Sequence, residues 1–317
     1  MMLPADLSRL KQKLNDAIIS GGPGVRVAIV GWSEAAFELA AMPIFQTGAA
    51  ALEGFFAPQS RGVVRSLEEL QFAAPDVIVI AQDAGKEPLL ETIAALVSPR
   101  TRLLVGGYAH FEFADEAYER ARQNSYIPSL ANGYPHCLVH IFQCLKNAHH
   151  RGLKGVVAEF GMFKGGTTML ISRFIEEIGA SWKVFGFDTF GGFPPRRSPL
   201  DMYNHPDCVF TDEGTVRAAF NGRNVEVIAG DVVETVSRLK DENLVLSFVD
   251  TDNYTSARAI IEVIADRTQV GGAIMFDHWA GTNMFIDTIG ERIAAKALAA
   301  DPRYFNLHGT GVFLRQQ

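Results

Sequence analysis

An apolar run, Val156-Val157-Ala158-Glu159-Phe160, closes on a glycine turn, Gly161-Met162-Phe163-Lys164-Gly165-Gly166-Thr167-Thr168. A helical pattern follows, and a second apolar run, Val184 to Phe187, ends at Asp188. Strand, glycine turn, helix and strand make a βαβ unit, whose parallel strands need helices over the faces of their sheet. The alternation continues through Val225–Ala229, Leu244–Val249 and Ala273–Phe276. The end, Phe305-Asn306-Leu307-His308, Gly309-Thr310-Gly311, Val312-Phe313-Leu314, reads as a hairpin. The fold class is therefore α/β, with a doubly wound sheet and a terminal antiparallel hairpin over residues 156–317.

A smaller unit of the same kind precedes it, within residues 1–107. Strands are expected at Val25–Val30, Ala51–Phe56, Pro75–Ile80 and Arg102–Val105. Helices are expected at Glu34–Met42, Ser66–Gln71 and Pro88–Val97. Residues 108–155 read as a helical connector or lid, with apolar spacing through Phe111, Tyr118, Leu138, Ile141, Phe142 and Leu145, interrupted by Pro128, Asn132-Gly133 and Pro135.

Composition narrows the partners. The chain of 317 residues is 48% hydrophobic and 21% charged, which suits a globular protein of two domains. No apolar run approaches the ~18 residues of a membrane span, and Lys11 and Lys13 are followed by no apolar signal core. A net charge of −7 without a basic stripe argues against nucleic acid. The three cysteines, Cys137, Cys144 and Cys208, have neither metal-ligand spacing nor the even count of a disulfide framework, so the cytoplasm is the expected compartment.

The glycine turn says what kind of ligand to expect. Bare backbone at Gly161 lets a nucleoside approach, and a carboxylate at the tip of the next strand, Asp188, can accept both ribose hydroxyls. No lysine follows the last glycine as in a phosphate loop, and the spacing Gly161-x-x-x-Gly165 is not G-x-G-x-x-G. Both departures favour a nucleoside without pyrophosphate, pointing to S-adenosylmethionine rather than ATP or NAD. The first turn of the N-terminal unit, Gly31-Trp32-Ser33-Glu34, has one of three fingerprint glycines, and the strand after it ends Phe56-Ala57-Pro58 without an acid. That unit is expected to hold no dinucleotide and to serve packing, homo-oligomer formation or substrate recognition.

Three strings extend the argument: Glu159-Phe160-Gly161-Met162-Phe163-Lys164-Gly165-Gly166; Asp188-Thr189-Phe190-Gly191-Gly192-Phe193-Pro194; and Asp250-Thr251-Asp252-Asn253-Tyr254-Thr255-Ser256, with Gly271-Gly272 and Asp277-His278. Over about residues 126–280 the chain resembles the macrocin O-methyltransferase family, S-adenosylmethionine-dependent and usually Mg²⁺-dependent enzymes that methylate sugars of natural products. The resemblance implies a cofactor site drawn from Glu159, Gly161, Met162, Phe163, Gly165, Thr167, Asp188, Thr189, Asp231 and Asp250. It implies a Mg²⁺ or other divalent site at Asp250, Asp277 and His278, with Asp252 beside it. A catalytic base is expected at His205, in the loop after Asp188, or at His278. Asp231 is also placed to cap the helix that begins at Val232. The family carries aspartate where this chain has His278, and imidazole is a poorer Mg²⁺ ligand than carboxylate. The expected activity is O-methylation of a small molecule, a sugar or glycosylated metabolite. Two other readings stand beside it: an NAD(P)-binding oxidoreductase using the N-terminal unit, and a non-catalytic S-adenosylmethionine-binding or scaffold protein.

Overall fold

The computed structural model of the chain describes residues 2–133, 135–280 and 283–317. The chain divides into two compact units, Met1–Phe113 and Ala114–Gln317.

The first unit is built on five strands: β1 (Val25–Val30), β2 (Ala50–Ala57), β3 (Val64–Ser66), β4 (Val77–Ile80) and β5 (Arg102–Val105). They form a parallel sheet in the order β3-β2-β1-β4-β5. Val27, Ile29, Val77 and Val79 face one layer of core, and Ala28, Val30, Ile78 and Ile80 face the other, as a two-sided parallel sheet requires. Two expectations need correction. The helix expected at Ser66–Gln71 begins instead as the edge strand β3, followed by a 3₁₀ turn at Leu67–Glu69 and a short helix at Leu70–Ala73. The Glu69 carboxylate accepts the Ser66 amide at 3.2 Å and starts that turn. The helix expected at Glu34–Met42 stops at Ala40, and a new turn starts at Pro43, where proline forbids continuation. A helix at Pro4–Gly21 was not anticipated. It buries Leu10, Leu14, Ala17 and Ile18 on the sheet.

The second unit carries β6 (Val156–Phe160), β7 (Lys183–Asp188), β8 (Val225–Ala229), β9 (Leu244–Val249), β10 (Thr268–Phe276), β11 (Tyr304–Asn306) and β12 (Val312–Arg315). Their order is β11-β12-β10-β9-β6-β7-β8. Strands β6 to β10 are parallel, and β12 pairs antiparallel with both β10 and β11, so the hairpin is present as expected. Helices at Glu116–Gln123 and Cys137–His150 belong to this unit. The rings of Tyr118, Phe142 and Phe174 pack together with centroids 5.2–5.4 Å apart and join both to the helix Gly166–Glu177. A large apolar core, including Phe160, Phe187, Ile260, Phe276 and Phe313, fixes the strand ends from below. Since β6 lies between β7 and β9, chain connections leave its C-terminal end in opposite directions, and the sheet opens a crevice there.

Candidate active site at the strand ends of the second unit

Gly161 leaves β6 with φ +89°, and a Cβ built on it would lie 1.9 Å from the Asp250 carbonyl oxygen. Only glycine lets the ends of β6 and β9 run this close. A cavity of about 300 Å³ opens above them, walled by Gly161, Phe163, Asp188, Thr189, Asp250, Asp252, Asp277 and His278 among others. Three of the four described non-glycine residues with positive φ, Phe163, Phe190 and Asp252, stand at these strand ends. Backbone strain of this kind persists where surrounding contacts overdetermine it, and it gathers at functional sites.

Asp188 closes β7. One of its oxygens accepts the Phe163 amide at 2.8 Å and the other the Phe190 amide at 2.7 Å, so both strained residues are tied to one carboxylate. Burial raises its pKa against the lowering effect of these amides. Asp188 also lines the cavity, and a carboxylate oxygen can accept more than one hydrogen bond.

The other expected cofactor residues divide. Gly161, Phe163, Thr189 and Asp250 line the cavity. Glu159, expected to reach an ammonium group, is 2% exposed, accepts the Thr168 hydroxyl and is not among the lining residues. Burial pushes its carboxyl up to about 8. Met162 packs in a small core with Met169, Phe190, Val216, Phe220 and Val227. Gly165 has φ +85° and lies under Phe220, while the Thr167 hydroxyl shares a hydrogen bond of 2.6 Å with Ser129. Asp231 caps its helix by accepting the Val233 amide at 3.0 Å and pairs with Arg197 at 2.7 Å; its neighbours Gly230 and Val232 line the cavity.

Asp250, Asp252, Asp277 and His278 lie on the adjacent ends of β9 and β10. The His278 Nε2 is 2.9 Å from Asp252, 3.4 Å from Asp250 and 3.7 Å from Asp277. Burial alone would lower the imidazole pKa. Hydrogen bonds to Asp250 and Asp252 outweigh it and push the value up to about 12. Asp277 is 3% exposed, and its oxygens accept the amides of Asn132 (3.1 and 3.2 Å) and Gly133 (2.7 Å). Burial raises it to about 7.

Asp250, Asp252 and His278 are near enough to share an ion. Their chemistry does not suit Mg²⁺, which demands near-octahedral oxygen ligands. Here an imidazole nitrogen lies between two carboxylates in place of a third carboxylate oxygen, and Asp277 accepts two backbone amides.

Sequence reasoning missed Glu291, on the helix Ile289–Ala300. Fully buried, it accepts the amides of Thr251 (2.8 Å) and Asp252 (2.9 Å) on one oxygen and that of His278 (3.2 Å) on the other. Burial raises it to about 8. One carboxylate thus holds the left-handed turn at Asp252 and the start of the His278 loop. No motif spacing marks it; a lone acid in an apolar helical stretch was the available signal.

The loop after β7 supplies the outer wall through Phe193, Pro194, Tyr203, Asp207 and Cys208. Asn253 pins it, accepting the Tyr203 amide at 3.0 Å and donating to the Tyr203 carbonyl at 2.9 Å. Asp201, buried, accepts the amides of Arg197, Ser198 and Thr255. His205 is on this loop but half exposed. Its Nδ1 accepts the Asp207 amide at 3.2 Å, and it is not among the lining residues.

Sheet order, terminal hairpin and strand-end cavity define a class I S-adenosylmethionine-dependent methyltransferase fold. Residues 114–316 match the family model described as Macrocin-O-methyltransferase (TylF), more than half of the chain, and the chain belongs to that family. Among solved structures it is similar to the O-methyltransferase NovP (TM-score 0.48, 18% identity, covering 57% of this chain and 79% of that one). It is also similar to CalS11, a calicheamicin methyltransferase (0.43, 20%, covering 66% and 97%). A putative caffeoyl-CoA O-methyltransferase from Staphylococcus aureus is a third (0.41, 13%, covering 74% and 100%). No curated protein matches the chain in sequence.

Proposed function

We propose that this protein is an S-adenosylmethionine-dependent O-methyltransferase acting on a hydroxyl of a small molecule, a sugar or glycosylated metabolite. The supporting observation is that one cavity joins the Gly161 turn and Asp188 to the cluster of Asp250, Asp252 and His278. S-adenosylmethionine, when bound, supplies an electrophilic methyl group on a sulfonium. Asp188 holds the ribose hydroxyls, Gly161 gives backbone access for the amino-acid end, and Phe163 and Val232 offer apolar surface. The outer wall, with Phe193 and Tyr203 in T-shaped contact at 5.4 Å, excludes water and positions the acceptor. As the acceptor oxygen loses its proton, a carboxylate of Asp250 or Asp252 receives it, since both residues line the cavity. His278 orients Asp252 by donating to it from Nε2 at 2.9 Å, with Asp250 3.4 Å from the same nitrogen. His205, the alternative base, would have to reach the cavity from the exposed side of its loop.

The test is a titration with S-adenosylmethionine by calorimetry, followed by methyl transfer from radiolabelled cofactor to a panel of glycosides and nucleotide sugars. Saturable cofactor binding and a labelled, O-linked methyl group on one panel member are expected. Failure to bind the cofactor would end the reading.

A further inference from the structure

Two carboxylates aimed at one point repel each other once water is excluded, unless a proton, a hydrogen-bond donor or a cation stands between them. At the rim of this cavity that point is filled from within the chain. The Nε2 of His278 lies within 3.4 Å of both Asp250 and Asp252, and its own side chain is only 11% exposed. Its position is enforced from several directions. Glu291 accepts the His278 amide and the amides of Thr251 and Asp252. Asp252 is thereby held at φ +63°, which turns its carboxylate to the imidazole. Asp277, the remaining acid, accepts the amides of Asn132 and Gly133 and lies 3.7 Å from the same nitrogen.

We propose that the His278 imidazole stands in the cation position of this site, so that the Asp250–Asp252 pair serves methyl transfer without a divalent metal. The inference rests on the methyltransferase reading for its purpose, though not for its geometry. A Mg²⁺ ion would need the two carboxylates, several waters and room for an oxygen shell at ~2.1 Å. The imidazole nitrogen already stands between the two carboxylates, and it is a poorer Mg²⁺ ligand than a carboxylate oxygen at that position would be. It also has direction: the one Nε2 hydrogen points to Asp252 at 2.9 Å, with Asp250 at 3.4 Å beside it.

Metal binding can be read without knowing the acceptor. Free Mn²⁺ is titrated into the full chain by electron paramagnetic resonance, and S-adenosylmethionine binding is measured separately by calorimetry. The unaltered protein should bind Mn²⁺ no more tightly than about 1 mM, and His278→Asp, which replaces the internal cation with a third carboxylate, should tighten binding at least ~10-fold. His278→Ala, which vacates the position without adding charge, should move in the same direction by less, and it stands in if the first variant does not fold. Thermal melting verifies folding. Mn²⁺ bound by the unaltered protein at or below ~100 µM would overturn the proposal. So would folded variants that gain no Mn²⁺ affinity, since His278 would then not be holding a cation's place. If S-adenosylmethionine fails to bind while the Mn²⁺ results are as expected, the methyltransferase reading fails and the internal cation stands.

Discussion

At the scale of single residues, the site depends on carboxylates that each do two jobs. Asp188 faces the cavity while accepting the Phe163 and Phe190 amides. Asp188→Ala should weaken S-adenosylmethionine by about 1.5–3 kcal/mol, the range for losing charge-assisted hydrogen bonds. Asp188→Asn, which keeps one acceptor oxygen, should lose less. Calorimetry on folded variants decides the matter, and unchanged affinity in both would remove Asp188 from the cofactor site. Glu291 has no cavity-facing job, yet three backbone amides end on it. Glu291→Ala strands all three in a buried setting and should cost about 2–4 kcal/mol of stability, with Glu291→Gln milder because a carbonyl oxygen remains. Urea unfolding measures this; a loss under ~0.5 kcal/mol for the alanine variant would show that water replaces the carboxylate.

Between elements, Glu159 links β6 to the helix Gly166–Glu177 through Thr168. Burial raises its pKa from 4.5 to about 8, so the folded protein keeps a proton that the unfolded chain releases between those values. Stability from this residue is complete below pH 4.5 and is lost as pH rises through about 8. The slope is at most ~1.4 kcal/mol per pH unit. Glu159→Gln, neutral at every pH, should flatten the fall in melting temperature across that window, and identical pH profiles would show that the group ionises freely. Glu159 also shows the limits of sequence reading at this scale. Its position at the end of an apolar strand was legible, but whether the side chain turns to the crevice or to the helix depends on Thr168, nine residues later. Met162 is a similar case, since the motif string does not say which of its members pack against Phe220. By contrast the placement of Gly161, Asp188, Asp250 and His278 around one cavity was legible, because strand ends in a parallel sheet all open at one edge. The helix Pro4–Gly21 was readable from Leu10, Leu14, Ala17 and Ile18, which share one face, but it precedes the first glycine turn that organised the reading.

For the whole molecule, the open question is whether the first unit contributes a second nucleotide site. Its sheet has the right order, and Gly31 leaves β1 at φ +117° where β2 and β4 diverge, the place a dinucleotide would use. The turn is nevertheless filled. Trp32 packs edge-on against Phe37 and Phe55 at 4.6 and 5.1 Å, and Ser33 uses its hydroxyl to donate to the Ala81 carbonyl and accept the Ala36 amide. β2 ends at Ala57 with no acid for a ribose. A cavity of about 320 Å³ in this unit is bordered by Pro75, Asp76, Arg100 and Thr101, which precede β4 and β5, so it lies at the opposite edge of the sheet from the ligand crevice. A pyrophosphate needs bare amides and positive potential, and the Gly31 turn offers an indole and the Glu34 carboxylate. The full chain, saturated with S-adenosylmethionine so that the second unit is filled, should therefore show no saturable uptake of NAD(H) or NADP(H) at micromolar concentrations. Uptake that survives such saturation would place a dinucleotide site in the first unit and return the oxidoreductase reading to contention. Uptake that the cofactor displaces would instead belong to the cavity at Asp188, leaving the first unit without a nucleotide.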